Sequence, residues 1–249
     1  MCRHQEAIIR LKKRGQVKPG SLLSKLILLI FFLLALSKVA WAGPLPEGFV
    51  YLEEVAPDIN IELHYFTTDN FVGERIDGYF APRCILTRAA AGALKKVQED
   101  LKPFGLGLKI YDAYRPQRAV NHFVRWAKDL QDTRMRFKFY PDIEKKDLFS
   151  QGYIAEKSNH SRGSSVDLTI VSMDSERRGV ELDMGTGFDL FSSKSRLDNL
   201  SISPAQRAHR LLLQTLMKKH GFNPYPREWW HFTLRKEPFP DTYFDFPVQ

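Results

Sequence analysis

The sequence predicts an α+β domain with a mostly antiparallel central sheet flanked by helices. Three observations lead there. Apolar residues recur at helical spacing in three stretches, they alternate with polar residues in shorter stretches between, and the two kinds are interspersed without the regular alternation of a doubly wound fold. After Gly43 no repeat, low-complexity tract or linker interrupts the chain, so one domain over residues 43–249 is the economical reading.

The first 42 residues stand apart. Arg3, Arg10, Lys12, Lys13, Arg14, Lys18 and Lys25 precede the apolar run LILLIFFLLAL, Leu26 to Leu36, and SKVAWAG follows. Basic, apolar and small-residue regions in that order predict a secretory leader over residues 1–42, cleaved before Gly43, and hence an exported protein, periplasmic or secreted. The apolar run falls short of the about 20 residues of a membrane-spanning helix, which makes an uncleaved anchor the lesser alternative and leaves no membrane association after cleavage. This leader holds 8 of the 37 lysines and arginines but 1 of the 29 acidic residues, so 29 basic residues face 28 acidic ones in the remainder. The +8 overall charge therefore gives no support to a nucleic-acid partner. Of the two cysteines Cys2 leaves with the leader, and Cys84 alone can make neither an internal disulfide nor a cysteine-based zinc site. In CILTRAA it reads as a small apolar residue entering a helix.

Within the domain Thr87 caps a helix running from Arg88 to about Leu101, which Pro103 and Gly105 end. GLGLKIYDAY, Gly105 to Tyr114, alternates as a half-buried strand does, and Pro116 closes it. Gln117 to Lys128 returns to helical periodicity, with Val120, Phe123, Val124 and Ala127 on one face. Val166 to Val171 and Trp229 to Leu234 read as two more strands. Between them Ser203 is the N-cap and Pro204 the first residue of a helix whose last turn carries Lys218, Lys219 and His220, and Gly221 stops it. NPYP, Asn223 to Pro226, reads as a turn.

Chemistry concentrates in three segments. SNHSRGSSVDLTI, Ser158 to Ile170, sets His160 seven residues before Asp167, and REWWHFTL, Arg227 to Leu234, sets Glu228 three before His231. Hydrolytic zinc takes three protein ligands from His, Asp or Glu and keeps a position for water. His160, Asp167 and His231 would make such a set and leave Glu228 free as a general base, with Trp229 and Trp230 excluding solvent. Taken singly, each has an ordinary reading as a loop, cap or core residue, and spacing alone leaves the choice open. Arg115 in YDAYRP reads first, in isolation, as a surface salt bridge, with a fixed positive charge for a developing oxyanion as its functional reading. His220, His209 and His122 read as helix-borne residues in ordinary contacts, and strand alternation would turn His64 away from Tyr65.

Together these segments resemble the VanX-type D-alanyl-D-alanine dipeptidases, zinc peptidases related to the zinc D,D-carboxypeptidases and the Hedgehog signalling domain. The likeness runs from LHYFTTDNFVG through IDGY, YDAYRPQRAVNHF, SNHSRGSSVDLTI, MGTGFD and EWWHF to the terminal YFDFP. SxHxxGxxxD and ExxH are shared by the wider superfamily, whereas RGSSVDLT, MGTGFD, EWWHF and YFDFP look like the dipeptidase branch; Asn159 stands where related chains often have serine. The resemblance implies a cleft on the sheet with one zinc ion held by His160, Asp167 and His231, Glu228 as catalytic acid/base and Arg115 stabilising the tetrahedral intermediate. It further implies Asp189 on the substrate's ammonium, Tyr65 and Ser158 lining the pocket, and a small dipeptide as substrate. A D,D-carboxypeptidase of peptidoglycan stems and a non-catalytic wall-binding module are the rival readings.

Overall fold

The computed structural model describes residues 44–249, and the leader expected over 1–42 lies outside the described residues. Leu45–Gln249 form one compact unit. Strands β1 (Phe49–Tyr51) and β3 (Ile85–Thr87) pair antiparallel in a small sheet. The main sheet has the order β2 (Asn60–Ile61), β4 (Leu106–Asp112), β5 (Ser165–Ser172), β7 (Glu228–Leu234), β6 (Phe222–Tyr225). Only β2 and β4 run parallel; the other three pairs are antiparallel, as the sequence predicts. All eight residues of β5 are buried, so both faces of the sheet are covered there.

Two helices bear out their start signals. Thr87 Oγ1 accepts from the Ala90 amide at the head of α2 (Arg88–Leu101), and Ser203 with Gln206 makes a reciprocal capping box at the head of α5 (Pro204–Lys219). The short α1 (Leu52–Val55) precedes α2, while α3 (Gln117–Lys128) and α4 (Arg136–Phe139) lie between β4 and β5. Phe123 and Trp126 of α3 pack their rings on Phe71 at 4.8 and 5.1 Å. Val124, expected on that buried face, is only half-buried, and Trp126 takes the inward position.

Three local expectations need correction. Asn223 and Pro224 continue β6 rather than forming a turn; β6 is the sheet's edge, where proline's missing N–H leaves no ladder bond unmade. His64 sits in a 3₁₀ turn, His64–Phe66, instead of a strand, and its Nδ1 donates to the Asp69 carbonyl at 2.7 Å. Cys84 precedes β3 rather than a helix; it is fully buried, and burial pushes its thiol pKa up, so it stays protonated as a core residue.

Candidate active site

Three neighbouring strands set the core of the site in one row. Asp112 of β4 lies opposite Asp167 of β5, which lies opposite His231 of β7. Ile110 pairs with Leu168 and Asp112 with Asp167, so Tyr111 is an extra residue, a bulge that brings the acidic end of β4 into line with Asp167. His160 comes from the 3₁₀ turn Asn159–Arg162 just before β5. Ser158 caps this turn by accepting from the His160 amide at 3.3 Å, and Gly163 closes it in the left-handed conformation, φ 77°. A Cβ on Gly163 would lie 2.2 Å from the Phe49 ring. Gly163→Ala is therefore expected to cost about 2 kcal/mol or more in stability, read as a lowered unfolding midpoint; an unchanged midpoint would contradict this placement.

His160, Asp167 and His231 offer ligand atoms that all lie within 4.8 Å of one another; His160 and Asp167 are buried and His231 is half-buried. The donor chemistry fits a cation. His160 Nδ1 faces the Ala113 carbonyl at 2.7 Å; a carbonyl only accepts, so Nδ1 carries the hydrogen and Nε2 is a free lone pair. That Nε2 stands 3.0 Å from His231 Nδ1 and 3.3 Å from Asp167 Oδ2. His231 turns its other nitrogen to Thr233 Oγ1 at 3.2 Å, which itself bonds Ser165 Oγ at 2.7 Å. Burial alone would raise the Asp167 pKa, but the two imidazoles outweigh it and hold the carboxyl well below the usual range, ionised as a metal ligand must be.

Around this group the cleft, about 230 Å³, is lined by Tyr65, Arg115, Ser158, Asp189 and Glu228 besides the three possible ligands. Glu228 opens β7 with Oε2 4.0 Å from His231 Nδ1, and burial pushes its carboxyl up to about 7. Arg115 is a half-buried ion-pair member in the cleft rather than a surface one: its guanidinium meets Asp112 Oδ2 at 2.8 Å and Asp167 Oδ2 at 3.5 Å, and stands 4.9 Å from the centre of the Tyr65 ring. Burial opposes its charge, but the carboxylates of Asp112 and Asp167 beside it outweigh burial and keep it cationic.

Asp189 departs from the open presentation that its glycine-containing loop suggests. It is 5% exposed, and it is the one non-glycine residue with positive φ among the described residues, at 57°, a conformation aspartate tolerates better than most. Tyr65 donates its hydroxyl to Asp189 Oδ2 at 2.8 Å, and burial followed by the charge of Asp167 pushes the Asp189 carboxyl well up. The tryptophans also act differently from the expectation that they exclude solvent, since neither lines the cleft. Trp229 Nε1 donates to Thr186 Oγ1 at 2.8 Å and Trp230 packs edge-on to Phe188 at 5.6 Å, so both brace the loop that carries Asp189.

Sequence reading missed Asp112. It is fully buried, accepts from the Tyr79 hydroxyl at 2.6 Å and from Arg115 Nε at 2.9 Å, and lies 3.5 Å from His160 Nδ1, so it joins the arginine to the possible metal group. Its signal was present in YDAYRP, where an aspartate precedes the arginine by three. The terminal YFDFP motif acts from behind: Tyr114, next to Arg115, stacks on Phe246 at 4.1 Å and donates its hydroxyl to the Phe246 carbonyl at 2.9 Å.

Residues 46–249 match the peptidase M15 family, described as D-ala-D-ala dipeptidase. The chain belongs to this family. As an M15 peptidase it is a hydrolase of peptide bonds, and the family is zinc-dependent, which agrees with a His-Asp-His group that could bind a metal. The M15 chain is similar to the D-alanyl-D-alanine dipeptidase of Streptomyces coelicolor, 42% identical over 200 residues, 80% of this chain and 98% of the relative. It is similar to the enzymes of that name from Enterococcus faecalis, 41% identical over 81% of this chain and 98% of the relative, and Escherichia coli, 38% identical over 74% and 83%.

Proposed function

We propose that this M15 peptidase hydrolyses D-alanyl-D-alanine to two D-alanine molecules, with one zinc ion per chain held by His160, Asp167 and His231. The observation that carries the reading is the convergence of these three donors, Glu228 and Asp189 on one cleft of about 230 Å³. That space is below the roughly 300–1,000 Å³ of pockets for drug-sized ligands, which suits a substrate of two small residues. The names of the relatives support the same substrate.

Held by these three residues, zinc would supply Lewis-acid chemistry, lowering the pKa of water towards neutrality and drawing electrons from a carbonyl oxygen. Glu228, half-buried and with its carboxyl pushed up to about 7 by desolvation, takes the proton of the attacking water on its carboxylate and passes it to the departing amine. Arg115, fixed by Asp112, presents a charge that never titrates to the oxyanion formed at the carbonyl. Asp189, steadied by the Tyr65 hydroxyl, receives the substrate's ammonium, whose opposite charge favours the ionised carboxylate that burial disfavours in the free site, and Ser158 and Tyr65 shape the walls.

Asp112 is a positioning residue in this scheme. Asp112→Asn is expected to lower kcat about 10- to 100-fold with zinc content retained, because the arginine loses the carboxylate that aims it; unchanged kcat in a folded protein contradicts the role.

The competing D,D-carboxypeptidase reading shares the chemistry and differs in the length of substrate admitted. A dipeptidase is expected to favour free D-alanyl-D-alanine strongly in kcat/KM over a pentapeptide stem, and the reverse preference overturns the choice. We also propose export, from the leader-like order of residues 1–42. Fractionation of cells with N-terminal sequencing tests it, and a cytoplasmic protein retaining residues 1–42 contradicts it.

A further inference from the structure

Besides its imidazoles, the cleft is lined by two cations, Arg115 and Lys157, and they differ in what they already hold. Arg115 is committed to Asp112 and Asp167. No carboxylate among the described residues pairs with Lys157; its ammonium stands 4.9 Å from the centre of the Tyr243 ring. The segment beneath it is fixed. Gln117 Nε2 donates to the Glu156 carbonyl at 2.9 Å, and Ser158, the next residue along, caps the turn that delivers His160. Tyr243 is steadied in turn by Arg162, whose guanidinium is clamped on Glu237 at 2.9 and 2.6 Å.

A dipeptide is a zwitterion with charge at both ends. Resting on the dipeptidase reading, Asp189 answers the ammonium, and the carboxylate needs a donor that is not already neutralised. We propose that Lys157 binds the free carboxylate of the substrate and thereby confines the site to peptides that end one residue beyond the scissile bond. Its aromatic neighbour leaves the charge intact while limiting where the long side chain can swing. Lys157 is exposed, so the pair is partly screened and the expected effect is moderate.

The test uses the zinc-loaded full chain as wild type, Lys157→Met and Lys157→Arg. It compares KM for D-alanyl-D-alanine with the inhibition constant of the same dipeptide carrying a C-terminal amide as competitor. Lys157→Met is expected to raise KM for the free dipeptide about tenfold with kcat within about twofold, the pattern of lost uniform binding, and to leave the amide's constant unchanged. Lys157→Arg should keep most of the affinity. Equal weakening of dipeptide and amide, or an unchanged KM, overturns the role of Lys157 while the dipeptidase reading stands. Failure of the wild type to hydrolyse the free dipeptide overturns that reading and the inference with it.

Discussion

Glu228→Gln lowers kcat on D-alanyl-D-alanine by about 10²- to 10⁴-fold while zinc content stays at the wild-type level. The amide keeps the shape of the side chain at the head of β7 and removes its capacity to take a proton, so the whole loss falls on the proton-transfer step. Because Glu228 lies outside the His160, Asp167 and His231 group, metal affinity should be nearly untouched. Steady-state kinetics with elemental analysis on the same preparation separates the two effects. A variant that keeps wild-type kcat removes Glu228 from the chemistry, and one that loses its zinc makes it a ligand instead.

His160→Ala has the opposite signature. It deletes the lone pair of Nε2, whose availability the Ala113 carbonyl fixes by holding the hydrogen on Nδ1, and leaves two donors where three converged. Zinc content after dialysis is expected to fall far below one ion per chain, and activity by more than about 10²-fold, with partial recovery in excess zinc. Because a buried His160 also meets Asp167 at 3.3 Å, the unfolding midpoint must be followed in parallel. Full zinc occupancy in the folded variant would overturn the ligand assignment.

The main elements were legible because local signals and tertiary packing agree in them. The helix starts at Thr87 and Ser203 carry side-chain caps, and β4, β5 and β7 carry enough alternation or apolar character to be read alone. Strands β1, β2 and β3 were not read, since two or three residues give periodicity too little length. β6 was hidden by a proline that only an edge strand tolerates, and edge position is a property of the assembled sheet. The site residues were legible through His160, Asp167, Glu228 and His231, whose spacings raised the metal hypothesis, and the family resemblance added Asp189, Tyr65 and Ser158. What stayed hidden depends on register. The Tyr111 bulge aligns Asp112 with Asp167, and the positive φ of Asp189 turns a loop residue into a buried wall. Neither follows from residue types along the chain.

The most direct measurement is hydrolysis of free D-alanyl-D-alanine by the purified protein, followed as released D-alanine, before chelation, after removal of metal, and after zinc is returned. The expected result is activity that chelation abolishes and about one equivalent of zinc restores. Hydrolysis that survives complete metal removal, or none by the zinc-loaded protein, would contradict the assignment of this cleft as a zinc dipeptidase site.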